Sequence, residues 1–482
     1  MNKTALFLAL AVGLLLTAVV VGLPKTAEKP VAPVTVPTAV APVPAQPPVP
    51  VVKVEPAQTP GSLSLTGKLS HPYIAVGAND VFVTLEVTGV HVPGAKRSPV
   101  NLALVIDRSG SMSGVKLRNA NRAAHRLVEL LEPTDQLAIV HYGNDANSLG
   151  SRLATDENKR VMNRYIDAIE EGGGTNIGEG LQVGRAALLR TKSDFRANRL
   201  LLLSDGQPTV GLTSNNALNN IVRTMKSEGI STTSLGVGAD FNERLMQGFA
   251  DLGGGSYGFA GTGDGQALLT TFEKDLSQAG TLIARGVTLD FPSQNGVIFH
   301  EVYGRPVTQE NGRTRITLPD FSAGQSERIV IHLTKNTAVP GVDIIGHYEL
   351  NYEDVLAEKR ANTGMTLNAY VTNDRAVVTS KIDGNAYASG KKAQAQVNYE
   401  KAAEYASTGD TARAQVELKK NDVLFDDAMA VAGPAAVAPD REANNQAYGL
   451  MEAPAKPEER REQAKALKIQ GLRSSGRGES VY

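Results

Sequence analysis

Apolar residues recur along this chain in two different rhythms. Between about 98 and 280, short apolar runs alternate with stretches in which apolar residues return every three or four positions. Residues 102–106, 136–140, 199–203 and 230–237 have the length and composition of buried strands. Between the first two, residues 114–131 set Ala120, Ala123, Ala124, Leu127, Val128 and Leu131 on one helical face, and Glu132 followed by Pro133 stops the helix. Residues 156–169, 178–190, 216–227, 242–250 and 266–278 also read as helices, with a short strand at 256–259 before the last. This alternation predicts an α/β fold with a doubly wound, mainly parallel, Rossmann-like sheet over 98–280.

The flanks keep a period of two. Residues 62–66, 81–87, 286–290, 312–318, 328–333 and 346–350 alternate apolar with polar positions, the mark of half-buried antiparallel strands. Segments 61–97 and 281–372 are therefore all-β. The economical arrangement is one sandwich-like region built from both flanks, with the α/β domain inserted, although two separate β modules satisfy the same pattern. From 373 the chain turns Ala- and charge-rich. Residues 393–407 and 411–423, around the turn at Gly409, predict a C-terminal helical hairpin within 373–432. Residues 433–482 read as a charged, partly disordered tail with one charged helix at 458–472.

Before the first β segment lie two further stretches. Residues 1–23 open with Lys3 and continue apolar or small from Ala5 to Leu23 apart from Thr17, which is the pattern of a secretory signal or an uncleaved signal anchor. At ~1.5 Å per residue this run spans roughly 28 Å as a helix, near the ~30 Å of a hydrocarbon core. Residues 24–60 are a Pro/Val/Ala-rich linker of polyproline type. Both place the rest of the chain outside the cytoplasm, periplasmic, at the cell surface or secreted, with the membrane as a partner if residues 1–23 stay attached.

Composition narrows the chemistry. Lys+Arg 49 against Asp+Glu 50 gives a net charge of -1, which offers nucleic acid no global attraction. The absence of Cys removes disulfides, thiolate metal sites and thiol nucleophiles.

What remains is a set of oxygens. Asp107, Ser109 and Ser111 stand at alternate positions in the loop that follows the first buried strand. Thr175 sits in a later loop behind three glycines, and Asp205 ends a third apolar run. All three loops fall at the C-terminal rim of the predicted parallel sheet, where open α/β sheets bind ligands. Two carboxylates and three hydroxyls suit Mg2+, Ca2+ or Mn2+ and do not suit zinc. Hydroxyls in place of more carboxylates leave such an ion short of negative charge, so that an Asp or Glu of a protein partner would complete its shell.

Taken alone, Asp107, Ser109 and Ser111 also fit a capped turn before a helix. Other chemistries lack parts. A phosphoaspartyl nucleophile at Asp107 would want an acid where Ser109 stands, and neither serine lies in a Gly-x-Ser-x-Gly elbow. His125 falls within a helix and His141 ends a strand, both in structural or surface positions. The glycines from Gly253 to Gly258 lead into a strand instead of following one, so they form a turn.

In combination, the three loops resemble the von Willebrand factor A (VWA) domain with a complete metal-ion-dependent adhesion site, and residues 252–259 resemble that family's closing Gly-Gly strand. With its β flanks the chain is similar to bacterial extracytoplasmic VWA proteins and, more distantly, to inter-alpha-trypsin inhibitor heavy chains. The resemblance implies that Ser109 and Ser111 ligate the cation directly and that Thr175 joins them when a partner is engaged. It implies that Asp107 and Asp205 hold the ion directly or through water, with Mg2+ foremost and Ca2+ or Mn2+ as alternatives. The expected role is metal-dependent protein binding, as an adhesion or scaffold protein of the cell envelope, without catalysis. A metal that merely stabilises a structural scaffold, or a metal-dependent phosphoryl hydrolase, are the competing expectations.

Overall fold

The computed structural model describes residues 61–92, 97–452, 455–478 and 480–481. The expected signal or anchor at 1–23 and the linker at 24–60 lie outside the described residues. Among the described residues no helix is long and apolar enough to cross a membrane.

The α/β region is built on a sheet with the strand order Gly254–Ala260, Ser231–Val237, Ala197–Ser204, Val100–Asp107, Gln136–Tyr142, Ala146–Ser148. The first five are parallel and the last runs antiparallel. Every residue of Val100–Asp107 and of Ala197–Ser204 is buried, because helices cover both faces. Side chains alternate accordingly. Leu102, Leu104 and Ile106 face the helices Val115–Leu130, Asp156–Asp167 and Gly265–Gly280, whereas Ala103 and Val105 face Ile177–Leu189, Asn215–Ser227 and Glu243–Gly253. Each buried Leu or Ile contributes about 1.5–3 kcal/mol. The chain moves outward from Val100–Asp107 in one direction, then crosses back to Ala197–Ser204 on its other side. The switch point of this doubly wound fold therefore lies between those two strands, where a crevice opens at their C-terminal ends.

The β flanks interleave. One sheet runs Leu63–Leu69, Gly77–Gly89, Ser326–Thr337, Val297–Val302; the other runs Val307–Glu310, Arg313–Thr317, Leu282–Pro292, Gly341–Asp354, Lys359–Thr372, Tyr73–Ala75. Residues from before and after the α/β region thus enter both sheets, and the two share one apolar core that includes Val83, Leu85, Leu289, Ile331 and Leu350. The α/β region leaves and rejoins the sandwich at one point. The Ser98 N–H donates to the Gly280 carbonyl at 2.8 Å, and Arg97 grips the buried Asp135 through two bonds of 2.9 and 2.7 Å.

The expectation of a partly disordered tail gives way to ordered helices. Gly384–Thr408 and Thr411–Ala432 form a hairpin around Gly409, whose φ of 86° closes the first helix. Ala438–Glu452 and Pro457–Ser474 then pack on that pair around an Ala-rich core. Ile469, Leu472 and Val481 continue into the core of the α/β region, and the Tyr257 N–H donates to the Ser480 carbonyl at 3.1 Å. Much of the docking is polar. Arg477, 2% exposed, pairs with Asp251 at 2.6 Å and donates to the Gly304 carbonyl at 3.0 Å. Lys465 stands 3.8 Å from the centre of the Phe241 ring, and Lys468 reaches Glu243 at 2.8 Å. Charged side chains that bury their stems and satisfy their heads inside leave no apolar stripe to read, so composition suggested a solvated segment.

Candidate functional site

Three adjacent strand ends converge on Asp107. One of its carboxylate oxygens accepts from Ser204 Oγ at 2.7 Å and from Tyr142 Oη at 3.2 Å, and the other accepts from the Ser109 N–H at 2.9 Å. Ser204 ends the neighbouring strand and Tyr142 the strand on the other side. Tyr142 can lie flat there because Gly180, on the covering helix, has no side chain; a Cβ on Gly180 would come within 2.7 Å of the ring. Asp107 is wholly buried. Burial pushes its carboxyl above the usual carboxylate range, the bonds from Ser109 and Ser204 pull against this, and the nearby Asp205 charge adds to it.

After Asp107 the chain makes a tight turn over Gly110–Met112, pinned by Met112 buried in the core below. The turn carries Ser109, 1% exposed, and Ser111, exposed at the rim. Their hydroxyls lie 3.1 Å apart, and Ser111 Oγ donates to Asp205 Oδ1 at 2.7 Å. The second loop is zipped onto the first: the Gly172 N–H donates to the Arg108 carbonyl at 2.7 Å and the Gly110 N–H to the Gly173 carbonyl at 3.2 Å. Gly173 has a φ of 84°, and a Cβ there would stand 3.0 Å from the Asn144 nitrogen, so the close approach of the loops requires glycine. This brings Thr175 in. A Cβ built on Gly206 would lie 3.3 Å from Thr175 Oγ1 and 3.5 Å from Ser111 Oγ, so both hydroxyls border the small space above that glycine. The Thr175 N–H donates to Thr209 Oγ1 at 2.9 Å, which fixes the loop.

All five sequence-predicted residues, Asp107, Ser109, Ser111, Thr175 and Asp205, thus stand at the switch-point rim. Lys116 was not anticipated. Its Nζ donates to Asp205 Oδ2 at 2.6 Å and to the Ser111 carbonyl at 3.3 Å, and its side chain is 11% exposed. The signal available for it was a lysine on the buried face at the first turn of an amphipathic helix. Ser204 and Tyr142 were missed too, because nothing in a strand's final residues announces that they turn toward a neighbouring strand's carboxylate.

A doubly wound sheet with an oxygen-lined rim of this kind defines the class of von Willebrand factor type A domains, and residues 101–262 match the sequence model of that domain. The chain carries a VWA domain, joined to a β-sandwich and a C-terminal helical segment. It is 34% identical over 165 residues to an inter alpha-trypsin inhibitor heavy chain 4 from Mus musculus, a match covering 32% of this chain and 17% of that one. It is 26% identical over 279 residues to protein sll0103 of Synechocystis, covering 54% of this chain and 63% of that one. The chain therefore spans less than two thirds of the length of these relatives. A solved von Willebrand factor type A structure from Catenulispora acidiphila superposes with a TM-score of 0.65 at 16% identity, over 86% of this chain and 98% of that one. That likeness extends the shared fold beyond the VWA domain to most of the molecule. VWA domains commonly mediate metal-dependent protein–protein interactions and typically bind a divalent cation.

Proposed function

We propose that this is a metal-dependent protein-binding protein of the cell envelope, which captures an acidic residue of a partner through a divalent cation held by Asp107, Ser109, Ser111, Thr175 and Asp205. The observation that carries the reading is the charge balance of the rim. Two buried carboxylates face one ammonium, Lys116, leaving one net negative charge. A dication would turn that into one net positive charge beside the exposed hydroxyl of Ser111. Buried positive charge with an open side attracts a carboxylate and does little for a neutral surface.

The donor set fits such an ion: every candidate ligand atom is an oxygen, as Mg2+, Ca2+ and Mn2+ prefer, and Mg2+ suits a site with few charged ligands and room for water. Asp107 has both oxygens already bonded by protein groups, so it serves best through water, while Ser109 and Ser111 point their hydroxyls at the rim. The ion supplies an electrophilic centre when bound. The chain's own part is to fix the hydroxyls, place the two carboxylates and keep Lys116 against Asp205. Placement outside the cytoplasm rests on residues 1–23, and binding without catalysis on the lack of any nucleophile–base pair in the sequence motifs around the rim.

The test uses Ser111→Ala, because Ser111 is exposed and its loss leaves the core intact. Calorimetry should show one Mg2+ site in the wild type, weakened at least about tenfold in the variant, with unchanged circular dichroism. At a Mg2+ concentration of about 100 times the wild-type Kd, the wild type should gain about 2.7 kcal/mol of stability and a variant weakened tenfold only about 1.4 kcal/mol. A partner retained from envelope extract in Mg2+ should be released both by chelator and by the substitution. A partner that survives both would overturn ion-mediated capture.

A further inference from the structure

On the four-stranded sheet of the sandwich, Asp80, His300 and His332 each offer one ligand atom, and these atoms all lie within 4.8 Å of one another. We propose that these three side chains form a second cation site, specific for a borderline transition ion of the Zn2+ class and independent of the oxygen-lined rim.

The backbone is arranged for it. In the edge strand Val297–Val302 the pairing with Ser326–Thr337 slips by one residue between Phe299 and Glu301. His300 is the inserted residue. Phe299 and Val302 both pack in the sandwich core, so His300 and Glu301 are consecutive outward residues, which a regular strand does not allow. Such bulges re-aim a side chain, and this one sets the His300 ring 4.7 Å from that of His332, measured between centroids. His332 sits on the central strand Ser326–Thr337, opposite Phe82. It is 17% exposed and held between rings, with the Phe82 centroid at 5.1 Å and Tyr303 stacked at 6.3 Å. Its Nε2 lies 2.6 Å from Asp80 Oδ1, contributed by Gly77–Gly89 on the other side. Thr334, which pairs with Asp80 across the strands, bonds His300 Nε2 through its hydroxyl at 2.8 Å. That contact supplies the outer-layer partner that orients ligating histidines.

Two imidazoles and one carboxylate are a Zn2+-type set, as the rim's hydroxyls and carboxylates are an Mg2+-type set. In a tetrahedral zinc site neighbouring ligand atoms stand about 3.3 Å apart. Side-chain adjustment on the order of 1 Å therefore closes the shell, and Asp80 and His300, both exposed, have room to make it. Because Asp80 and His300 are exposed, a solvent molecule would supply the fourth ligand. A plain cross-strand hydrogen bond accounts for His332 with Asp80, but it leaves the bulge that brings His300 over them without a role. An ion here would clip the edge strand Val297–Val302 to two inner strands at once.

The test uses the full chain carrying Ser111→Ala, so that the rim competes less, and reads visible absorption, which an oxygen-lined site gives only weakly. Co2+ should bind with one equivalent and give the strong visible absorption of a four-coordinate ion, and excess Mg2+ should not displace it. Zn2+ should bleach the band. His300→Ala and His332→Ala, each with unchanged circular dichroism, should abolish the absorption and weaken Zn2+ binding by at least 10–100-fold, the loss that outer-layer partners alone produce. Thr334→Val should weaken it less. The absence of an absorbing Co2+ complex, or one that persists in both histidine variants, overturns the proposal.

Discussion

The central VWA sheet and the C-terminal helical layer are held by opposite means. The strands Val100–Asp107 and Ala197–Ser204 are enclosed by aliphatic side chains such as Leu102, Leu104 and Leu202, whose burial needs no particular orientation. The C-terminal layer is held by alanine contacts and by charges at its joint: the buried Arg477 on Asp251, the buried Lys465 over Phe241, and the part-exposed Lys468 on Glu243. Burial of apolar surface is forgiving of shape and tolerates neighbours of similar volume. A buried ion is stable only with its partner in place, so the second kind of joint is specific and brittle.

The sharpest way to break this contrast is Arg477→Met. Asp251, 9% exposed, would be left without its ion pair, and the cost should be about 3–5 kcal/mol in urea unfolding. The pair Arg477→Met with Asp251→Leu should recover part of that loss. A single variant costing under about 1 kcal/mol would mean that the buried pair is incidental to docking. Next is Leu104→Ala, at the centre of the apolar sheet, which should cost about 2–5 kcal/mol through lost burial and the cavity left behind. Unlike the arginine, it should have no single compensating partner.

The smallest effect is expected at Lys465. Burial, the largest influence, holds its ammonium below the usual lysine range, against the pull of Glu243. Because Lys468 still serves Glu243, Lys465→Met should stay within about 1 kcal/mol of the wild type. A folded-state pKa that is depressed means the unfolded chain binds more protons as pH approaches the ordinary lysine value. The wild type should therefore gain stability relative to Lys465→Met as pH rises toward 10.5. A difference that runs the other way would show that the cation over the Phe241 ring outweighs its desolvation.

The same contrast explains what could be read in the sequence. The parallel strands were legible because covering both faces demands unbroken apolar runs, and the loops bearing Asp107 and Asp205 followed from where those runs stop, whereas Thr175 was marked by the glycines before it, in a loop between the helices Asp156–Asp167 and Ile177–Leu189. The path of residues 61–97 through both sheets was not legible. Tyr73–Ala75 is a three-residue strand whose partner, Lys359–Thr372, lies almost three hundred residues on, and no local rhythm encodes that distance. Lys116 and Arg477 were invisible for a related reason: a charge gives no hint in one dimension of the carboxylate that will meet it. His300 needed the bulge, which is a property of pairing and not of a strand by itself.

One junction carries a consequence of a mechanical kind. The VWA domain leaves the sandwich at Ser98 and returns at Gly280, and those two residues are hydrogen-bonded to each other. A pull applied between the two flanks of the domain meets this clamp before it meets the domain. Tension then passes from one flank to the other across the clamp, and each flank is anchored in its own sheet by Gly77–Gly89 and by Leu282–Pro292. The rim stands at the opposite end of the strand Val100–Asp107 from this clasp, outside the path of a pull between the flanks while the Ser98–Gly280 bond holds.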